Sequence, residues 1–153
     1  MVMSLGHCHP RLVEAAKRQL DQLTFSYRFS FSNEPMADLS GLIREIAPME
    51  RASAFFNSSG SESIESAIHM AILYWRHLGK PSKIELISRF PSYHGSTLVA
   101  LGLSSSRWRE AFELVLEKNA VAQVPGADIH ARRSDEAERR FGLEQIEDAI
   151  LSR

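Results

Sequence analysis

Two short segments combine residue types suited to holding a ligand. In the first, Ser59-Gly60-Ser61-Glu62 places a serine three residues ahead of a glutamate. That spacing is the capping-box pattern that opens a helix. A helix start presents backbone N–H groups with no intrahelical acceptor, together with the positive end of the helix dipole. Gly60 has no side chain to keep an anion from the backbone, and the hydroxyls of Ser59 and Ser61 add donors. Together these suit a phosphate group. A well-capped helix without any ligand gives the same pattern, because capping boxes are common.

The second segment, Ser92-Tyr93-His94-Gly95-Ser96-Thr97, sets an aromatic ring and an imidazole side by side ahead of a glycine. Tyr93 could stack on a flat heteroaromatic ligand. His94 could hydrogen-bond or exchange protons near neutral pH. Gly95 would let backbone come close to a ligand. Judged alone, the segment also reads as a surface turn with a packed tyrosine. Taken together, one segment offers an anion hole and the other a ring platform, and a phosphorylated aromatic molecule has both features. The chain contains no G-x-x-x-x-G-K-[ST], no G-x-G-x-x-G and no G-x-S-x-G, so it lacks the P-loop, the dinucleotide fingerprint and the nucleophile elbow. His7-Cys8-His9 supplies adjacent ligands in an awkward arrangement for zinc, and no second cluster completes a set. Ser61 with His94 lacks the orienting acid that a hydrolase needs.

The surrounding pattern predicts the elements that would position these segments. Pro10 suits a first helical turn, and Leu12, Ala16, Leu20 and Leu23 recur at helical spacing. Asn33 can cap a second helix with Pro35 in its first turn. Met36, Leu39, Leu42, Ile43 and Ile46 form its stripe, and Pro48 stops it. Ala54-Phe55-Phe56 reads as a short buried strand. A long helix follows the first loop, with Ile64, Ala67, Ile68, Ala71, Ile72, Trp75 and Leu78 inward and Gly79 placed to end it. Ile84 to Ile87 reads as a second strand and Val121 to Val124 as a third. Helices are expected shortly after Thr97, from Arg107 to Glu117, and from Phe141 to Leu151. Alternation of strand, loop and helix predicts an α/β fold with a mostly parallel sheet flanked by helices. Ligands in such sheets sit beyond the carboxyl ends of the strands, where both loops would open. Residues 1–50 are expected to form a helical lead and residues 51–153 a ligand-binding α/β domain.

Composition narrows the class. The 153 residues suffice for one domain with its own core, and 44% hydrophobic and 24% charged residues are ordinary globular values. Eighteen Lys+Arg against 19 Asp+Glu leave a net charge of -1, with no overall field for nucleic acid or anionic membrane. Arg132-Arg133 and Arg139-Arg140 are interleaved by Asp135, Glu136 and Glu138, as on a solvated helix face. The single cysteine, Cys8, allows no internal disulfide and suits a reducing compartment. The first residues do not resemble a signal peptide, and no apolar run is long enough for a bilayer. The expected location is the cytoplasm, or an organelle matrix if a transit peptide precedes this sequence.

Three blocks in register carry a family resemblance: Gly6-His7-Cys8-His9-Pro10, then Phe55-Phe56-Asn57-Ser58-Ser59-Gly60-Ser61-Glu62, then Ser92-Tyr93-His94-Gly95-Ser96-Thr97 with Ala100-Leu101. They resemble class III aminotransferases, which are fold-type-I pyridoxal-phosphate enzymes. The resemblance covers nearly the whole chain, least clearly after Pro125. It implies part of the large cofactor-binding domain, with pyridoxal 5'-phosphate as cofactor, an amino donor and a keto acid acceptor as substrates, and a homodimer as the intact assembly. It assigns Gly60 and Ser61 to the cofactor phosphate, Ser59 to support of the turn, and Tyr93 to the pyridine ring, with His94 and Gly95 beside it. Glu65 matches a recurring helix glutamate with a structural role. Ser63 and His69 stand where the family usually has alanine and often lysine.

The family's catalytic lysine and its ring-nitrogen aspartate lie downstream of these blocks, and its opening segment lies before them. Lys17, Lys80, Lys83 and Lys118 all read as surface lysines outside any family motif. The chain is therefore expected to hold the cofactor's phosphate and ring without catalysing turnover by itself, and to expose apolar surface that promotes association. A non-catalytic relic or interaction module is the alternative. Tyr27-Arg28-Phe29 falls where the family's substrate-pocket segment tends to lie, which suggests an ω-amino acid or amine donor with pyruvate.

Overall fold

The first three helices begin where the sequence supplies a proline or a capping side chain. The computed structural model describes residues 3–105, 108–112, 116, 121–125, 144–148 and 150–151. Helix α1, Pro10–Gln22, starts on its proline, and His9 at the N-cap makes no side-chain cap bond. Helix α2, Glu34–Ile46, starts on Asn33, whose side chain accepts from the Met36 N–H at 3.0 Å. Helix α3, Gly60–His77, starts on Ser59, whose Oγ accepts from the Glu62 N–H at 3.2 Å. Such a cap contributes about 1 kcal/mol.

The end of α3 is equally local in origin. Gly79 has φ +72, the left-handed conformation that glycine adopts without penalty. Its N–H donates to the Arg76 carbonyl at 3.1 Å, and the Lys80 N–H donates to the Trp75 carbonyl at 2.9 Å. These two bonds form a Schellman motif. Just beyond it, Lys83 lies 4.1 Å and Lys80 5.5 Å from the Trp75 ring centre. Both surface lysines thus sit over the indole as cations on an aromatic ring.

Strand β1, Leu86–Phe90, pairs in parallel with β2, Val121–Pro125, in a register running from Leu86 opposite Val121 to Phe90 opposite Pro125. Parallel neighbours need a crossover connection. Here it contains α4, Leu98–Leu103, and the short α5, Trp108–Ala111. Helix α4 packs against α3, α5, β1 and β2. Its Ala100, Leu101, Gly102 and Leu103 are buried, and Leu116 joins them. Residues 144–148 and 150–151 are helical, within the helix expected from Phe141 to Leu151.

Three expectations need correction. Ala54-Phe55-Phe56 is irregular rather than a buried strand, and Phe55 is 52% exposed. A strand needs a partner for its N–H and C=O groups, and among the described residues only β1 and β2 pair. The second strand sits two residues later than Ile84 to Ile87, because its span is set by pairing with β2 rather than by its own apolar run. The apolar stripes of α1 and α2 are not buried, and Ile46 is 82% exposed. On α3, Ile64, Ile68, Ile72 and Trp75 are half-buried, while Ala67, Ala71 and Leu78 are exposed. Arg107 and most of the span to Glu117, and the segment around residues 126–143, lie outside the described residues.

The chain divides into two compact units, Met1–Phe55 and Phe56–Arg153. The first holds α1 and α2, with the Arg28 guanidinium stacked over Phe55 at 4.6 Å and over Phe29 at 5.3 Å. The second holds α3, both strands, α4 and α5.

Candidate functional site

The two loops singled out in the sequence meet. The Ser96 N–H donates to Ser61 Oγ at 3.1 Å, across a separation of 35 residues. Gly95 packs directly on Ser61: a Cβ there would lie 2.9 Å from Ser61 Cβ and 3.0 Å from Ala100 Cβ, and would collide with Ser61 Oγ. Its φ of +140 also disfavours any other residue. Glycine at position 95 is therefore explained by the closeness of the loops within the protein.

Ser59, Gly60, Ser61, Ile64, Tyr93, His94 and Gly95 line one open cleft of about 490 Å³. All six residues expected to form the site are among them. The cap consumes two of the first N–H groups of α3. Ser59 Oγ takes that of Glu62, and the Ser59 carbonyl takes that of Ser63 at 3.1 Å. The Gly60 and Ser61 N–H groups come first in the helix and have no acceptor among the described residues. Nothing in the protein lies within 4 Å of where a Gly60 Cβ would stand. The space in front of these two amides is open to an anion.

Ser61 serves both sides. Its oxygen accepts from Ser96, and a hydroxyl that accepts one bond keeps its own proton to donate. Ser63 turns its hydroxyl back to the Ser59 carbonyl at 3.1 Å, which leaves no unmet polar group there. Tyr93 is 74% exposed, so a ring face is available for stacking, and its hydroxyl shares a hydrogen bond with Ser96 Oγ at 3.2 Å. His94 is half-buried at the cleft wall.

Two residues of the site's architecture carry no sequence motif. Ser104 Oγ accepts from the His94 N–H at 2.8 Å, and Ser105 Oγ donates to the Ser92 carbonyl at 2.8 Å. The run Ser104-Ser105-Ser106 after an apolar helix is the one local signal. His7-Cys8-His9 lies in the other unit, and among the described residues no three His, Cys, Asp or Glu side chains gather to hold a metal. No helix of the described residues is long and apolar enough to cross a membrane.

The donor set therefore fits a phosphorylated heteroaromatic: amides and a hydroxyl for the dianion, and an exposed aromatic face for the ring. The aminotransferase class-III family matches residues 1–152. An uncharacterized aminotransferase of Bacillus subtilis is 43% identical over 123 residues, covering 80% of this chain and 28% of that protein. The putrescine–pyruvate aminotransferase of Pseudomonas aeruginosa is 33% identical over 160 residues, covering 97% of this chain and 33% of that protein. Among solved structures, the ω-transaminase of Pseudomonas jessenii in complex with PMP superposes with a TM-score of 0.84 at 30% identity, covering 98% of this chain and 34% of that one.

The fold and the match define part of a fold-type-I transaminase domain of the α/β class. The chain belongs to the class-III aminotransferase family and spans about a third of the length of the relatives it matches.

Proposed function

We propose that this chain holds the phosphate and pyridine ring of pyridoxal 5'-phosphate, in a transaminase that moves an amino group from an amine or amino acid to a keto acid. The observation that carries this reading is the shared cleft of Gly60, Ser61 and Tyr93. The Gly60 and Ser61 amides and the Ser61 hydroxyl would bind the phosphate at the positive end of α3. Ser59 shapes the turn, Tyr93 offers its ring face, and His94 and Gly95 form the adjoining wall. When bound, the cofactor supplies an electron sink for the substrate's carbanion.

Among the described residues no lysine lines the cleft. Lys17 pairs with Glu14 at 3.0 Å, while Lys80 and Lys83 lie at Trp75. Lys118 lies outside the described residues. Proton movement in transamination needs an amine beside the ring, and with none at the cleft among the described residues the reading gives this chain binding without turnover of its own. The relatives' names support an amine or ω-amino acid donor with pyruvate. Membership of the class-III family supports a homodimer in the intact enzyme. The cytoplasm, a helical lead over residues 1–50 and a cofactor-binding part over residues 51–153 complete the reading.

Titration of the purified chain with pyridoxamine 5'-phosphate tests it. Saturable binding that inorganic phosphate displaces is expected, with no amino transfer from putrescine to pyruvate. Failure to bind sinks the site, and measurable transfer sinks the claim that the chain lacks turnover.

A further inference from the structure

Ser104 carries a hydroxyl into the least accessible place among the described residues. Its exposure is 0%, and its apolar neighbours in the core include Ala100 at 0%, Leu101 at 7% and Leu103 at 8%. A hydroxyl buried there costs free energy unless it is bonded. Ser104 Oγ donates to the Ala100 carbonyl at 2.8 Å and accepts from the His94 N–H at 2.8 Å, with the Gly95 carbonyl at 3.4 Å. The first bond is the ordinary backward bond of a serine at a helix end. The second ties α4 to a loop ten residues earlier.

Ser105 repeats this on the other side of the tyrosine. Its Oγ donates to the Ser92 carbonyl and accepts from the Ser92 N–H, while its own N–H donates to the same carbonyl at 2.8 Å. Ser92 Oγ in turn donates to the Leu103 carbonyl at 3.1 Å. The backbone is therefore fastened at Ser92 and at His94, whereas the Tyr93 N–H between them has no acceptor among the described residues. The loop belongs to no helix or strand, so its polar backbone groups must find partners elsewhere. Two consecutive serines supply them.

We propose that Ser104 is a positioning residue which, with Ser105, holds the Tyr93 ring at a fixed height over the cleft and so sets affinity for the ring half of the ligand rather than for its phosphate. This rests on the functional reading above. The phosphate half rests on the first turn of α3, whereas the Ser104 hydroxyl bonds run to Ala100, His94 and Gly95.

The test uses the whole chain and two probes, pyridoxamine 5'-phosphate and inorganic phosphate, with amide hydrogen exchange as a second readout. Ser104→Ala weakens the first probe about tenfold, the worth of one buried hydrogen bond, and leaves phosphate affinity within about twofold. Ser105→Ala, at a half-buried position, shifts the same ratio less and serves if Ser104→Ala does not fold. A folded variant in which both probes weaken equally, or neither does, overturns the proposal. In the unaltered chain the Ser92 and His94 amides exchange slowly and the Tyr93 amide rapidly. Uniformly fast exchange across the three overturns it as well. If neither probe binds the unaltered chain, the functional reading fails, and the exchange pattern still decides whether the clamp exists.

Discussion

Helices α1 and α2, 13 residues each, leave every residue exposed or half-buried, whereas the six-residue α4 buries Ala100, Leu101, Gly102 and Leu103. The longer helices have the clearer apolar stripes and bury less. Amphipathic spacing states which face could be covered, and a second layer decides whether it is. In the second unit α4 lies against α3 and both strands, so a short helix of modest propensity becomes the most buried part of the described structure. The candidate site is hung on that part. Gly95 packs on Ala100, and Ser104 at the end of α4 holds His94.

The largest effect expected is at the junction of the two loops. Gly95→Ala drives a methyl group into Ser61 and Ala100 and forces a disfavoured φ. It should cost about 3 kcal/mol in urea unfolding and abolish phosphate binding. A variant with unchanged stability and binding would show that the loops are not in contact. Next comes the contrast between the units. Leu101→Ala, at a 7% exposed position, should cost about 2 kcal/mol. Leu20→Ala, at a 61% exposed position in α1, should cost less than about 1 kcal/mol. Equal losses would break the comparison by showing that α1 is covered in solution.

Helix caps should behave alike in both units, because a cap acts locally. Ser59→Ala and Asn33→Ala should each cost about 1 kcal/mol, read as loss of helicity on warming. A much larger loss at Ser59 would mean that its hydroxyl does more than cap α3. The smallest effect belongs to Lys17, whose bond to Glu14 joins two side chains 64% and 59% exposed. Lys17→Ala should change stability by less than about 0.5 kcal/mol.

What was legible in the sequence was local. Asn33, Ser59 and Gly79 announce helix ends through bonds made within a few residues, and the structure shows those bonds. The six candidate site residues were legible because each has a chemical role that its own segment suggests, and the structure gathers them in one cleft. Non-local features were not legible. Ala54-Phe55-Phe56 has the composition of a strand, yet strand formation depends on a partner that no local pattern reveals. The start of β1 at Leu86 follows from its register with Val121. Ser104 and Ser105 look like the end of a helix, and their role emerges only when the loop folds back across ten to thirteen residues. Gly95 lines the cleft as its segment suggests, and its second service, leaving room for Ser61, is visible only in the folded chain.

The central claim is that one small molecule touches both the start of α3 and the Tyr93 ring. Nuclear magnetic resonance of the labelled chain titrated with pyridoxamine 5'-phosphate tests it most directly. The account predicts that the Gly60 and Ser61 amides shift together and saturably, with Overhauser contacts between the pyridine ring and the Tyr93 ring protons. Shifts at Gly60 and Ser61 with ring contacts to some other part of the chain, or no shifts at those amides, would contradict it.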